Sequence, residues 1–366
     1  FRSLSASNGL VEVCVNPCGS VSIKGNDSPE FNDLFLYEDV GDCGDGWTRG
    51  IPLNDILFRT HGTTVTTGIE ENGPLRTTFR IERTLLLPRR LDPQSKGRSK
   101  DRVSVEVTDF ISVEKHSPVV KVETFINNTA EDHRLRVLFP TERNTNVSFA
   151  ETPFAIVERD IPIPAESALW QERINEEKAF SSFFGIHDAE GGLAVLNPAG
   201  LHEYAVLDTP KRELAFTLLR AFRKTVGKPE EQDGQLPGTY TLEYGLLPFA
   251  GKPDMVQLSQ QVAAMQTPIR THTASAPVTT KSFLTLQHNN AIVTAIKPAD
   301  NGNAGIIRFW NPTHAPITEG FKLDRPIKTA ELCNLNEEPK EPITLGEAFV
   351  PVTIAACGLC TIRFAW

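Results

Sequence analysis

The residues best equipped for chemistry lie together at positions 35–52, Phe35-Leu-Tyr-Glu-Asp-Val-Gly-Asp-Cys-Gly-Asp-Gly-Trp-Thr-Arg-Gly-Ile-Pro52, where four acids, four glycines and an indole share one stretch. Carboxylates accept hydrogen bonds from hydroxyls, an indole face stacks on C–H groups, and glycines let the backbone come close to a ligand. That combination suits a sugar. The alternative is a surface loop whose Asp and Gly residues only make turns. Within the stretch, Asp42 and Asp45 either accept sugar hydroxyls or cap the loop's own amides, and Trp47 is either a sugar platform or a buried core tryptophan.

Other candidates are sparser. Arg220 ends the apolar run Phe216-Thr-Leu-Leu-Arg220, a common place for a residue that faces a cleft. Trp170, with Glu166 before it and Glu172 after it, is either packing or a second platform. The histidines at 61, 116, 133, 187, 202, 272, 288 and 314 form no His-x-Asp, His-x-His or His-Glu-x-x-His pattern, so no metal motif is expected in this chain. Each reads as a surface or locally hydrogen-bonded side chain. His187-Asp188 and His202-Glu203 are neighbours in sequence, and on a strand such neighbours point to opposite faces.

Six cysteines stand at 14, 18, 43, 333, 357 and 360. Cys357-Gly-Leu-Cys360 has metal or redox spacing, but without a second pair or a βαβ setting it reads as two thiols on the last strand. No secretory signal is visible, so the thiols are expected to be reduced and the chain cytoplasmic. The sequons at Asn26, Asn127 and Asn146 are then chance matches.

With 366 residues, 40% of them apolar, two domains with real cores are expected. The formal charge of −9 and the lack of a basic block argue against nucleic acid as a partner. The basic run from Arg89 to Arg102 is broken by Pro93, Ser95, Gly97 and Ser99 and reads as a solvated hairpin loop. No segment has the apolar length of a membrane span. Residue 1 is Phe and the methionines are Met255 and Met265, so the chain is expected to be a piece of a longer polypeptide.

Strands account for most of the pattern. Residues 10–15 and 21–23 flank an Asn-Pro turn as a hairpin, and residues 75–87, 102–113 and 119–126 alternate polar and apolar side chains over long runs. Repeated long strands predict a large antiparallel sandwich. One helix is expected over 254–265, capped by Asp254, with Met255, Leu258, Val262 and Met265 on one face and Pro268 as its stop. A Thr/Ala/Pro-rich linker at 267–280 precedes shorter strands at 283–286, 291–296, 305–310, 348–354 and 360–364, which suit a small second sandwich.

A series of motifs in order resembles a known family. Phe35-Leu-Tyr-Glu-Asp with Gly44-Asp-Gly-Trp47, then Pro140-Thr141, residues 153–159, Gly192-Leu-Ala-Val-Leu-Asn197 with Glu203-Tyr204, Thr217-Leu-Leu-Arg220, Glu243-Tyr244, Ile296-Lys-Pro-Ala299, Ile307-Arg-Phe-Trp-Asn-Pro312 and Ala330-Glu-Leu-Cys-Asn-Leu335 are similar to the C-terminal β-region of family 38 glycoside hydrolases, the retaining α-mannosidases, in their bacterial mannosylglycerate-hydrolase-like branch. The resemblance covers essentially the whole chain. It implies an all-β fold: a large galactose-mutarotase-like supersandwich over residues 1–275 and a small β-sandwich over 276–366. It also implies a zinc- or other divalent-metal-dependent catalytic domain on the N-terminal side of the same polypeptide, an α-mannoside substrate, and often a homo-oligomer. Family members place an aromatic, usually tyrosine, in the mannose site from the loop matching Gly44-Asp-Gly-Trp47. Trp47 keeps a stacking face there and loses the phenolic hydroxyl. Substrate-binding residues expected on this basis are Trp47, Asp45, Asp42 and Arg220, with no catalytic carboxylate and no metal in this chain. The alternative is a free-standing carbohydrate-binding or mutarotase-like β-protein.

Overall fold

The computed structural model describes residues 2–60, 63–92, 94, 96–171, 174–224, 233–300, 302 and 304–366; His61, Pro93, Ser95 and Glu172 lie outside the described residues. The chain forms two compact units, Phe1–Ala150 with Glu158–Pro253, and Glu151–Val157 with Asp254–Trp366. The helix spans Met255–Gln266 with Asp254 as its cap, the carboxylate accepting the amides of Val256 and Gln257 at 3.0 Å each. It groups with the second unit, where it meets the strand Ile292–Pro298, so the boundary expected near residue 275 falls inside that unit. Residues 266–283 are exposed throughout.

In the first unit, apart from residues 151–157 at one edge, alternation builds two large antiparallel sheets. The nine-stranded one runs in the order Ala155–Asp160, Val147–Thr152, Phe183–His187, Gly191–Leu196, Gly238–Ala250, Val120–Asn128, Arg102–Glu114, Arg76–Pro88, Val65–Asn72. The six-stranded one runs Lys178–Ala179, Glu203–Val206, Leu214–Ala221, His133–Phe139, Leu36–Gly41, Phe58–Arg59. A four-stranded sheet of Leu4–Ser7, Val11–Val15, Val21–Gly25 and Glu30–Leu34 contains the expected first hairpin. The all-β supersandwich is therefore present, and a smaller sandwich of three- and five-stranded sheets forms the second unit around Ile307, Phe309, Phe321, Ile354, Ile362 and Phe364.

Aromatic rings fill the space between the two large sheets. Phe184 stacks on Tyr204 at 4.4 Å between centroids, and Phe216 meets Tyr244 edge-on at 5.4 Å. One position on the core-facing side of Arg102–Glu114 is not apolar. Val105, Val107, Ile111 and Val113 face inward, and the same register brings Asp109 inward between them. Its carboxylate is fully matched: Oδ1 accepts the Tyr37 hydroxyl at 2.6 Å and the Thr124 hydroxyl at 2.7 Å, and Oδ2 accepts Arg83 Nη1 at 2.5 Å. Because Tyr37 belongs to the six-stranded sheet and the other groups to the nine-stranded one, this acid ties the two layers together.

Cys357 departs from expectation. It adopts φ 52° in a turn before the final strand Leu359–Ala365, with its amide on Thr313 O at 2.9 Å, so only Cys360 of the pair lies on the strand. All six cysteines are unbonded. Burial pushes the Cys360 thiol up to about 11.

Replacing Asp109 with Ala strands the buried Arg83 charge and is expected to lower stability by about 3–5 kcal/mol. Tyr37→Phe loses one hydroxyl bond and is expected to cost about 1–3 kcal/mol. Urea melts of both variants check the order; equal costs would contradict the account.

Candidate functional site

The strand Leu36–Gly41 lies beside His133–Phe139 and stops at Gly41, after which the chain leaves the sheet. Asp42 is the first residue out and is fully buried. Its amide bonds Asp132 O at 2.9 Å, its Oδ1 accepts the amides of Gly44 at 2.9 Å and Gly50 at 3.0 Å, and its Oδ2 accepts Arg220 Nε at 2.9 Å. Arg220 then donates Nη2 to Asp45 O at 2.9 Å and stacks over Phe222 at 5.4 Å. A single carboxylate–guanidinium pair thus pins both ends of the loop to the end of the strand Leu214–Ala221.

The loop also closes on itself. Cys43 donates its amide to Gly50 O at 2.9 Å, and Asp45 donates its own to Thr48 O at 3.1 Å. A Cβ at Gly44 would collide with Thr48 O, and one at Gly50 with the Gly44 backbone, so these two glycines permit the crossing. Asp45 Oδ1 accepts the amides of Trp47 at 2.9 Å and Thr48 at 3.1 Å. Those two amides hold its carboxyl below the ordinary aspartate range. The result at the tip is Trp47 with 76% of its surface exposed, which removes the buried-core alternative.

The four expected site residues therefore assemble, with a division of labour. Asp42, Asp45 and Arg220 come together at the base, where both acids cap loop amides, and Trp47 stands at the tip. Ile51, Leu53, Ile56 and Leu57, which follow, are each more than half exposed as well. A cavity of about 420 Å³ adjoins the loop and is lined by Asp42, Cys43, Pro52, Leu53, Asp92 and Lys224. Trp170 is about half exposed after the turn Ala165–Leu169.

The outer face of the six-stranded sheet carries an ion network that motif spacing did not single out. Glu38 Oε2 accepts Arg59 Nε at 3.0 Å and Nη2 at 2.8 Å, and its Oε1 accepts Arg136 Nε at 2.7 Å. Burial alone would raise the Glu38 carboxyl, yet Arg136 and Arg59 outweigh it and hold the group below its ordinary range. The signal available in sequence was Arg134-Leu-Arg136, two arginines on one face of an otherwise apolar strand.

His133 meets an acid that neither adjacent His-acid dipeptide supplied. Its Nδ1 lies 2.6 Å from Asp39 Oδ2 and its Nε2 3.0 Å from Asn128 Oδ1, with the ring fully buried. Both nitrogens are engaged and no sugar can reach them, so this pair does not supply the exposed His–acid couple that a mutarotase-like site wants. Among the described residues no three His, Cys, Asp or Glu side chains converge on a point where a metal ion would sit. Among them, too, no helix is long and apolar enough to cross a membrane.

The family model for the glycosyl hydrolases family 38 C-terminal domain matches residues 6–226, which include the whole loop and Arg220. This chain belongs to glycosyl hydrolase family 38. The family's C-terminal beta sandwich domain matches residues 290–362 in the second unit. A protein of Halalkalibacterium halodurans named "Putative mannosylglycerate hydrolase" is 30% identical over 329 residues, covering 83% of this chain and 36% of that protein. The crystal structure of an alpha-mannosidase from Enterococcus faecalis superposes with a TM-score of 0.87 at 26% identity, covering 98% of this chain and 42% of that one. A second family 38 structure from Enterococcus faecalis gives 0.85 at 26% identity, over 98% and 43%. The family 38 chain thus spans about two fifths of the length of these relatives.

Two substitutions separate the base of the loop from its tip. Arg220→Met leaves the buried Asp42 carboxylate unmatched and is expected to cost about 3–5 kcal/mol. Trp47→Ala, at an exposed tip, is expected to shift stability by no more than about 0.5 kcal/mol. Denaturant melts read both, and a Trp47→Ala loss as large as that of Arg220→Met would contradict the assignment.

Proposed function

We propose that this chain is the non-catalytic β-portion of a retaining α-mannosidase, supplying one wall of the substrate cleft and the scaffold behind it. The observation that carries this reading is Trp47: an indole largely exposed on a loop whose acids, glycines and arginine all serve to hold it in place. An aromatic displayed at this cost in apolar exposure suits stacking on the C–H face of a mannose ring. Asp45 Oδ2, which takes no part in capping, is in position to accept a sugar hydroxyl. Asp42 and Arg220 contribute to substrate binding through the loop they fix.

The reactive groups are proposed to lie outside this chain, in an N-terminal catalytic domain of the same polypeptide. The exposed side chains of Ile51, Leu53, Ile56 and Leu57 fit a surface that such a domain covers, and the length of the relatives is in keeping with it. The reaction of the whole would be hydrolysis of terminal α-mannosides with retention, a nucleophilic carboxylate forming the glycosyl intermediate and a second carboxyl serving as acid and base. The side chains described here do not fit the zinc ion of such enzymes, which would be held by that other domain. Homo-oligomer formation and a cytoplasmic setting are parts of the same proposal.

The purified 366-residue chain, free of other polypeptide, is expected to leave an aryl α-mannoside unhydrolysed; measurable turnover would refute the proposal. Reading the coding frame upstream of Phe1 is an independent check. A His-x-Asp motif within a preceding domain is the expected finding, and a start codon directly before Phe1 would favour the free-standing carbohydrate-binding alternative.

A further inference from the structure

The outer face of the six-stranded sheet gathers several guanidiniums in one place. Arg134 and Arg136 project from the same side of the strand His133–Phe139, and Arg49 of the Trp47 loop is close enough to act on Arg134 electrostatically. Arg134 is 1% exposed. Burial, then the guanidiniums of Arg136 and Arg49, pull it down to about 9. Three like charges crowded away from water favour an anion among them.

Arg136 is paired with Glu38 and Arg49 with Asp55, and two further anions come from an unusual place. Glu176 and Glu177 are consecutive residues in a strap that joins no sheet, ahead of the short strand Lys178–Ala179. Glu176 accepts Arg136 Nη1 at 2.8 Å and lies 4.0 Å from Arg134 Nη2, while Glu177 accepts Arg134 Nη1. The match is incomplete. Among the described residues, Nε of Arg134 and Nε of Arg49 are buried and have no hydrogen-bond partner. A buried donor left unmade costs about 1–3 kcal/mol, so a better-shaped anion has something to gain. A cavity of about 350 Å³ beside the strap is lined by Arg159, Ile174, Glu176, Lys178 and Tyr204 and not by Arg134, Arg136 or Arg49, so an anion reaches these guanidiniums only by displacing the strap's carboxylates.

The guanidiniums stand on the sheet and the carboxylates come from outside it. Arg134 and Arg136 sit on a central strand paired on both sides, whereas the strap side chains of Glu176 and Glu177 are 36% and 13% exposed. Arg134 is also the cross-strand partner of Arg220, so the basic cluster and the anchor of the Trp47 loop share one strand pair. We propose that Arg134 and Arg136 form a binding site for the anionic group of a ligand, a carboxylate or a phosphate, and that Glu176 and Glu177 occupy it as displaceable internal stand-ins. Arginine forks match both groups in bidentate fashion. The site stands independently of the mannoside reading and concerns this chain's own residues.

Calorimetric titration of the 366-residue chain with inorganic phosphate and, separately, with malonate tests it. The Glu176→Gln, Glu177→Gln double variant is expected to bind at least one of the two anions at least tenfold more tightly than the unmodified chain. Tightening for phosphate alone assigns a phosphate-bearing ligand, and tightening for malonate alone a carboxylate-bearing one. Adding Arg134→Met to the double variant is expected to abolish the gain. Hydrogen exchange on the unmodified chain needs no substitution: saturating anion is expected to speed exchange across residues 174–178. A double variant that binds neither anion more tightly, a gain that survives Arg134→Met, or exchange in the strap unchanged at saturation would each overturn the proposal.

Discussion

Burying a carboxylate costs several kcal/mol unless each oxygen finds a donor, and the first unit of this chain is organised by acids that satisfy that condition. Asp109 meets it with two hydroxyls and a guanidinium drawn from both large sheets. Asp42 meets it with two loop amides and Arg220. The first match holds the sheets in register over an aromatic core. The second converts the end of one strand into a fixed loop. Neither acid is free to do chemistry, and both decide where the exposed groups stand.

Fixing the loop in advance has a functional consequence. A flexible loop that orders on a sugar loses conformational freedom at that moment, at roughly 0.5–1.5 kcal/mol per rotamer-rich side chain. Here the crossing at Gly44 and Gly50, the amide caps on Asp45 and the Asp42–Arg220 pair have already ordered the backbone that carries Trp47. In the role proposed for it, Trp47 offers a wide stacking face and a single N–H donor. Shape and C–H contact then weigh more than a directed polar bond in what this loop offers.

Much of this was legible in the chain. Period-two alternation located the long strands because a half-buried sheet imposes it, and the Asp254 cap with its apolar face located the helix. The acid- and glycine-rich loop stood out by composition, and a series of ordered motifs was enough to indicate the family. What could not be read were properties that depend on partners distant in sequence. Whether Trp47 was buried depended on what the rest of the fold places over residue 47. The roles of Asp42 and Arg220 depended on a pairing across 178 positions. Arg134 and Arg136 drew no notice in the sequence, because Glu38, Glu176 and Glu177, which pair with them, lie far from them in the chain. Cys357 and Cys360 looked like strand neighbours because spacing alone does not reveal a residue with positive φ.

The central claim is that Trp47 is a sugar platform held in place by its loop. Steady-state hydrolysis of an α-mannoside by the complete polypeptide, compared with its Trp47→Ala and Trp47→Tyr variants, addresses it most directly. The account predicts that Trp47→Ala lowers kcat/KM at least tenfold, about 1.4 kcal/mol of transition-state stabilisation, while Trp47→Tyr retains most of it. An unchanged kcat/KM in Trp47→Ala would contradict it.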